Sequence, residues 1–210
     1  FEDNHNDYKL IRVPIGLVAL ITPWNWPLNQ TLTKISSAIA AGCSIVLKPS
    51  EYSSLSSRIL IEIINKSSLP KGCFSCINGI GSDIGPLISS HPDIKMISFT
   101  GSTAAGINIQ ELAAKTIKRV SLELGGKSAH IICKGVDLEK AIPNAIDQCF
   151  INSGQSCSAP TRLLVPNESI EDVERIAAKY VKTLVTGNPM DTKTNLGPVV
   201  NIKQFKSIQT

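Results

Sequence analysis

Ile15-Gly-Leu-Val-Ala-Leu-Ile21 is a continuous apolar run, the pattern of a strand buried on both faces. Pro27 then suits the first turn of a helix, and Leu28, Leu32, Ile35 and Ile39 recur at spacings of 4, 3 and 4 until Gly42 stops it. The same beat repeats. Ser44–Leu47 reads as a strand, and Leu55, Ile59 and Ile63 share one face of a helix that ends before Pro70-Lys71-Gly72. Phe74–Ile77 is predicted as a strand, Ser82–Ser90 as a helix, Ile94–Phe99 as a strand, Ser102–Lys115 as a helix and Ile117–Leu122 as a strand. Five strands alternating with four helices predict a parallel sheet with right-handed crossovers and helices on both faces. Such a sheet takes its ligands beyond the carboxyl ends of its strands.

The rhythm changes at Glu123-Leu-Gly-Gly126, where a glycine pair directly after a strand suits a chain leaving one domain for another. A second α/β unit is predicted from strand Ala129–Ile132, helix Asp137–Ile151, a loop around Cys157, strand Arg162–Val165 and helix Ile170–Leu184. Pro143 predicts a kink or a late start in the first of these helices. The division falls at 1–125 and 126–210, and the last helix is expected to stop in mid-element. The polar, acidic opening FEDNHNDYK resembles neither a signal nor a transit peptide, so the sequence is expected to begin partway through a longer protein.

Composition narrows the function classes. With 210 residues, 42% hydrophobic and 18% charged, the chain has the profile of a soluble globular protein with length for a real core. The net charge of +4 is scattered, which argues against nucleic acid as a partner, and the apolar runs are of core-element length, which argues against a membrane span. Six cysteines, mostly in apolar stretches, read as reduced thiols in a cytoplasmic setting. Cys73-Phe-Ser-Cys76 lacks a second ligand pair, so strand packing is preferred over zinc and no metal is expected. Cys157 differs, because it lies in the small, polar segment Ser153-Gly-Gln-Ser-Cys-Ser-Ala159, where burial alone would not place it.

Candidate chemistry gathers at the predicted strand ends. Gly79-Ile-Gly81-Ser-Asp-Ile-Gly85 departs from the dinucleotide fingerprint and reads better as a plain turn than as a phosphate loop. Phe99-Thr-Gly101-Ser102 passes from strand to helix, where Ser102 could meet an anion. Lys48-Pro-Ser-Glu51 offers a cation and a carboxylate suited to a ribose. Asn25, between Pro23 and Pro27, and Glu123 are each readable as a turn residue and a solvated carboxylate. Beside Cys157 they also supply an amide donor, a base and a nucleophile, the parts of a covalent acyl-type mechanism.

Ile21-Thr-Pro-Trp-Asn-Trp-Pro27, Lys48-Pro-Ser-Glu51, Phe99-Thr-Gly-Ser102, Glu123-Leu-Gly-Gly-Lys-Ser128 and Gly154-Gln-Ser-Cys-Ser-Ala159 resemble, in order and spacing, the signature segments of the aldehyde dehydrogenase superfamily. The resemblance implies an α/β protein with a Rossmann-like parallel-sheet cofactor domain, followed by the start of a second α/β catalytic domain. It implies oxidation of an aldehyde to a carboxylic acid with NAD(P) through a thiohemiacetal and a thioester; Glu51, a like charge to a 2′-phosphate, favours NAD over NADP as cofactor. Carried over by position, Cys157 is the nucleophile, Asn25 an oxyanion donor and Glu123 the base. The cofactor is expected against Thr22, Pro23, Trp24, Lys48, Ser50, Glu51, Gly81, Thr100, Gly101, Ser102, Leu124 and Gly125. Ala129 stands where the family usually has Pro, and Trp26 where Phe or Tyr is frequent, which touches the aldehyde tunnel. The family's Glu-x-Phe-Gly-Pro segment is not found here, and a homo-oligomer is implied for the full-length protein. A nucleotide-binding module without turnover, or an inactive fragment keeping only the cofactor grip, is the alternative.

Overall fold

The computed structural model describes residues 2–209; the expectations resting on the first and last residues lie outside them. The chain forms two compact units, the first ending at Leu124 and the second starting at Gly125.

The first unit opens with an antiparallel pair, β1 (Glu2–Asn4) and β2 (Lys9–Ile11), all exposed. Its polar sequence carries no alternating pattern, and the pair was not expected; backbone hydrogen bonds and the Lys9–Glu2 ion pair join the strands. The βα alternation follows as β3 (Leu17–Ile21), α1 (Pro27–Ala40), β4 (Ser44–Lys48), α2 (Ser54–Asn65) and β5 (Phe74–Cys76). It continues through α3 (Gly81–Ser90), β6 (Ile94–Thr100), α4 (Thr103–Ala114) and β7 (Arg119–Glu123). The five strands from β3 to β7 are parallel, in the order β5-β4-β3-β6-β7. Chain order therefore reverses direction across the sheet between β3 and β6, the switch point where such sheets open a ligand crevice.

Strand alternation divides the core in two. Val18, Leu20, Ile45 and Leu47 pack with Ile35 of α1 and Leu60 of α2. Ala19, Ile21, Ile97 and Phe99 pack with Ile88 of α3 and with Ile109 and Ala113 of α4. The helix faces differ from the expected ones. Leu28, Leu32 and Ile39 of α1 are exposed, and so are Leu55 (77%), Ile59 (63%) and Ile63 (61%) of α2. Of the expected α1 positions Ile35 alone meets the sheet, with Thr31 and Ala38 beside it, and α2 meets it through Ser57, Leu60 and Ile64. Each helix carries two stripes at helical spacing, and the one with small residues lets the helix approach the strands closely.

Local signals account for the ends of α1. Pro27 stands at its start without a side-chain cap, and Gly42 follows its last turn at φ 73°. Ile117 was expected to begin β7, but it adopts φ 53° and is 92% exposed, so the strand starts at Arg119.

The second unit pairs β8 (Ala129–Ile131) in parallel with β9 (Arg162–Leu164). Its core joins Ile132 to Ile142 and Ile146 of α5 (Leu138–Phe150) and to Val173 and Ile176 of α6 (Ile170–Val181). Helix α5 begins before Pro143 and runs through it, so the late start is not seen; the missing N–H removes one backbone donor inside the helix. The Tyr180 hydroxyl lies 2.8 and 2.9 Å from the two oxygens of Asp147, tying α6 to α5. A turn-rich stretch with a Thr186–Leu196 bridge leads to α7 (Ile202–Gln209). No helix among the described residues is long and apolar enough to cross a membrane.

Candidate active site

Because β3 to β7 run parallel, their carboxyl ends share one edge of the sheet. That edge carries Thr22, Pro23, Trp24 and Asn25 after β3, Ser50 and Glu51 beyond Lys48 of β4, and Gly81 at the start of α3 after β5. Gly101 and Ser102 follow Thr100 of β6, and Leu124 follows Glu123 of β7; Gly125 opens the second unit. Every predicted site residue of the first unit thus lies at a strand end or in the turn beyond it. Backbone bonds lock three of these turns: Thr22 N donates to Lys48 O at 3.1 Å, Gly101 N to Glu123 O at 3.1 Å, and Ile77 N to Leu47 O at 2.8 Å.

Lys48 is only 3% exposed, and its ammonium meets Glu51 Oε2 at 3.2 Å. Gly81 N approaches Glu51 Oε1 at 3.5 Å, and a Cβ on Gly81 would stand 3.7 Å from Lys48 Nζ. Ser50 supports the corner by accepting from Tyr52 N at 3.3 Å. Burial pushes the Glu51 carboxyl up, but its own backbone N–H and the Lys48 ammonium outweigh this and hold it below the ordinary carboxylate range. The result is an exposed carboxylate fixed beside a buried cation, a polar corner with room at a glycine. Gly79, in contrast, has no room for a side chain, since a Cβ there would fall 2.6 Å from Cγ1 of Ile84.

Across the switch point, Thr100 is 6% exposed and its Oγ1 is buried without a hydrogen-bond partner among the described residues. An orphaned hydroxyl at the end of a central strand fits a polar ligand laid over that edge. Beside it, Ser102 caps α4, its Oγ accepting from Ala105 N at 3.3 Å, so its hydroxyl is already engaged by the helix. Asn25 Oδ1 accepts from Trp26 N at 3.1 Å, which ties the side chain to its own turn. The buried Thr22 and Thr31 hydroxyls meet at 3.2 Å and join the end of β3 to α1.

Lys34 was missed by sequence reasoning. From α1 it donates to Ser98 Oγ at 2.8 Å, and burial lowers its pKa while the charge of Glu123 raises it. The signal for it is its spacing, three residues after Thr31 and four before Ala38, on the stripe that meets the sheet.

Cys157, half-buried, sits in the second unit, in the turn after a short 3-10 segment, Ile151–Gly154. A Cβ on Gly126 would come within 3.3 Å of the Cys157 carbonyl oxygen, so Gly126 backs the cysteine loop. The buried Ala159 anchors its far end. All six cysteines are unpaired, and Cys133, just after β8, is exposed. Cys76 lies within β5, where burial raises its pKa, in keeping with packing. A groove of about 500 Å³ in this unit is lined by His130, Cys133, Asp137 and Lys140 among others, and by none of the expected site residues.

A five-stranded parallel sheet of this order, with polar corners along its carboxyl edge, defines a doubly wound α/β protein of the Rossmann type. Comparison with known proteins names it further: the chain belongs to the aldehyde dehydrogenase family, whose profile it matches over residues 2–210. It is 44% identical over 209 residues to a 3-succinoylsemialdehyde-pyridine dehydrogenase of a Pseudomonas species, covering 100% of this chain and 44% of that protein. Among solved structures, a mutant aldehyde dehydrogenase C of Pseudomonas syringae, complexed with NAD+ and octanal, superposes with a TM-score of 0.95 at 46% identity. That match covers 100% of this chain and 43% of the other. Betaine aldehyde dehydrogenase of Staphylococcus aureus, in complex with NAD+, gives a TM-score of 0.89 at 38% identity over 93% of this chain and 39% of its own. The chain thus spans less than half the length of the relatives it matches.

Proposed function

We propose that this chain carries the cofactor site and the nucleophile of an NAD-dependent aldehyde dehydrogenase. The observation that carries the reading is Lys48, a buried lysine whose ammonium holds Glu51 beside the backbone of Gly81 at the sheet edge. A fixed carboxylate next to a cation suits the two hydroxyls of a ribose, and the orphaned Thr100 hydroxyl suits a polar group laid across the switch point. Lys48 and Glu51 hold the adenosine ribose in this reading, with Thr22, Pro23, Trp24, Ser50 and Gly81 around it. Thr100, Gly101 and the amide of Ser102 take the pyrophosphate side, and Leu124 and Gly125 border the remainder. The names of two solved relatives, both complexed with NAD+, support the same assignment.

The chemistry follows from the side chains. Cys157, as thiolate, attacks the aldehyde carbon; a C–S bond forms and the carbonyl electron pair moves to oxygen. The Asn25 amide and the Cys157 backbone N–H donate to that oxyanion, a role worth about 10²–10³ in rate per donor. When bound, NAD supplies the hydride acceptor that leaves a thioester on Cys157. Glu123 takes a proton from water, the water oxygen attacks the thioester, and the C–S bond breaks to free the carboxylic acid and the thiolate. The unpaired cysteines suit a reducing cytoplasm, and the full-length protein works as a homo-oligomer in this reading.

The test is NADH formation at 340 nm by the full-length protein with a panel of aldehydes, beside NAD titration of Lys48→Ala. Aldehyde-dependent NADH and weakened binding in the variant are expected. NAD binding without turnover by any aldehyde favours the alternative, a nucleotide-binding module; no NAD binding at all overturns both.

A further inference from the structure

The loop that leads into Cys157 is not one the backbone adopts by preference. Asn152, Ser153 and Gly154 follow one another at φ 52°, 58° and 75°, in the left-handed region that glycine enters freely, asparagine more readily than most residues, and serine at a cost. Such a run persists only where surrounding contacts over-determine it. Here they come from two directions. Within the loop, Gln155 N and Gln155 Nε2 both donate to Asn152 O, each at 3.1 Å. From outside, one short segment supplies both ties: Ser153 Oγ donates to Gly197 O at 3.0 Å, and Gln155 Oε1 accepts from Val200 N at 2.8 Å.

We infer that Gln155 is a positioning residue: its carboxamide straps the Cys157 loop to the Gly197–Val200 segment and so sets where the Cys157 thiol stands. The inference rests on the reading of Cys157 as nucleophile and adds to it a part with no chemistry of its own. One end of the carboxamide holds the strained turn and the other holds the strap, two residues before the cysteine, so a shift in either is passed to the sulfur. Gly126 backs the Cys157 carbonyl on another side, leaving the loop little freedom once the strap is in place. Gln155 is not part of the apolar core of its unit, which is built from Ile132, Ile142, Ile146, Val173 and Ile176. Its loss therefore disturbs the loop and leaves the fold.

The experiment uses the full-length protein and compares Gln155→Met, which keeps the length and loses both hydrogen bonds, with Gln155→Glu, which keeps the oxygen that accepts from Val200. Gln155→Met is expected to slow the pre-steady-state burst of NADH by about 10- to 100-fold, the scale of a misplacement near 1 Å. KM for aldehyde and for NAD should stay near the parent values, and Gln155→Glu, which keeps the acceptor for Val200 N but loses the donor to Asn152 O, should recover part of the burst rate. Peptide-level mass spectrometry of iodoacetamide labelling, which reads Cys157 apart from the exposed Cys133, should show the same order of reactivity. If Gln155→Met does not fold, Val200→Pro deletes the donor on the other side of the contact and carries the same expectation. An unchanged burst in Gln155→Met, a KM that rises in step with the loss, or a Gln155→Glu as slow as Gln155→Met overturns the inference. Cys157→Ser, run in parallel, separates the two ideas: turnover surviving in that variant sinks the nucleophile reading, whereas a dead Cys157→Ser beside a fully active Gln155→Met sinks the strap alone.

Discussion

Lys34 Nζ donates to Ser98 Oγ at 2.8 Å, which places an ammonium from α1 over β6, within the field of Glu123 at the end of β7. Burial penalises the charged form of Lys34 and lowers its pKa, while Glu123 raises it in part. Replacing Glu123 with Gln removes the charge that favours the ammonium, so the Lys34 pKa is expected to fall further. A ¹³C NMR titration of the lysine ε-methylenes measures it directly, and an identical Lys34 midpoint in both proteins would refute the coupling. The linkage has a definite sign. Between the lowered folded value and the ordinary 10.5 the unfolded chain binds the proton more tightly, so this group makes stability rise with pH across that window.

Cys157→Ala in the full-length protein is expected to abolish NADH formation with every aldehyde, because no other residue in the proposed mechanism can form the thioester. Glu123→Gln should still acylate and then stall, giving one burst of NADH per site followed by near-arrest, since a general base is worth about 10²–10⁴ in the hydrolytic step. Stopped-flow absorbance resolves the two phases. A steady rate equal to the parent's would assign the base to another residue.

In the proposed site, Glu51 is the residue expected to set the choice between cofactors. Its carboxylate is held charged by its own backbone N–H and by Lys48, so a 2′-phosphate on the ribose would face a like charge worth about 1 kcal/mol even in a wet site. The Lys48 ammonium offsets part of this, and a moderate preference for NAD over NADP is expected. Glu51→Gln should narrow the gap in kcat/KM. Equal values for both cofactors in the parent would mean that Glu51 does not reach the ribose.

What the sequence made legible is tied to what repeats. The apolar runs at Ile15–Ile21 and Ser44–Leu47 become core strands, because a strand buried on both faces has no polar alternation to mislead; Ile94–Phe99 joins them although Lys95 and Ser98 interrupt it, and the βα order then dictates a parallel sheet. The inward faces of α1 and α2 were not legible. Leu55, Ile59 and Ile63 are a better apolar stripe than Ser57, Leu60 and Ile64, yet it is the second stripe that meets the strands. Periodicity marks a face without saying which neighbour it meets. The positions of the candidate site at strand ends could be read from topology, since parallel strands put all their carboxyl ends together. The orphaned Thr100 hydroxyl, the buried state of Lys48 and the strap at Gln155 depend on side-chain packing from distant parts of the chain, and no local pattern announces them.

Two glycines at the sheet edge separate stability from binding. A Cβ at Gly101 would fall 2.4 Å from Cζ of Phe99, a ring that is 6% exposed and packed in the core with Ile97 and Ile109. The ring cannot swing into solvent without opening that core, so Gly101→Ala is expected to cost about 1–3 kcal/mol, the usual toll of overpacking. In a chain of this size each kcal/mol lowers the melting midpoint by about 2–4 °C. Gly81 differs, because the nearest atom to its added Cβ is Lys48 Nζ at 3.7 Å, an ordinary contact, and alanine at a helix start removes the conformational freedom of glycine. Gly81→Ala should therefore melt at or slightly above the parent midpoint while its methyl crowds the Lys48–Glu51 corner and weakens NAD binding. Differential scanning fluorimetry beside NAD titration reads both quantities on the same samples. A Gly81→Ala protein that binds NAD as the parent does would show that the cofactor lies away from this corner, and a Gly101→Ala protein with the parent's melting midpoint would show that the Phe99 ring has room the core does not otherwise reveal.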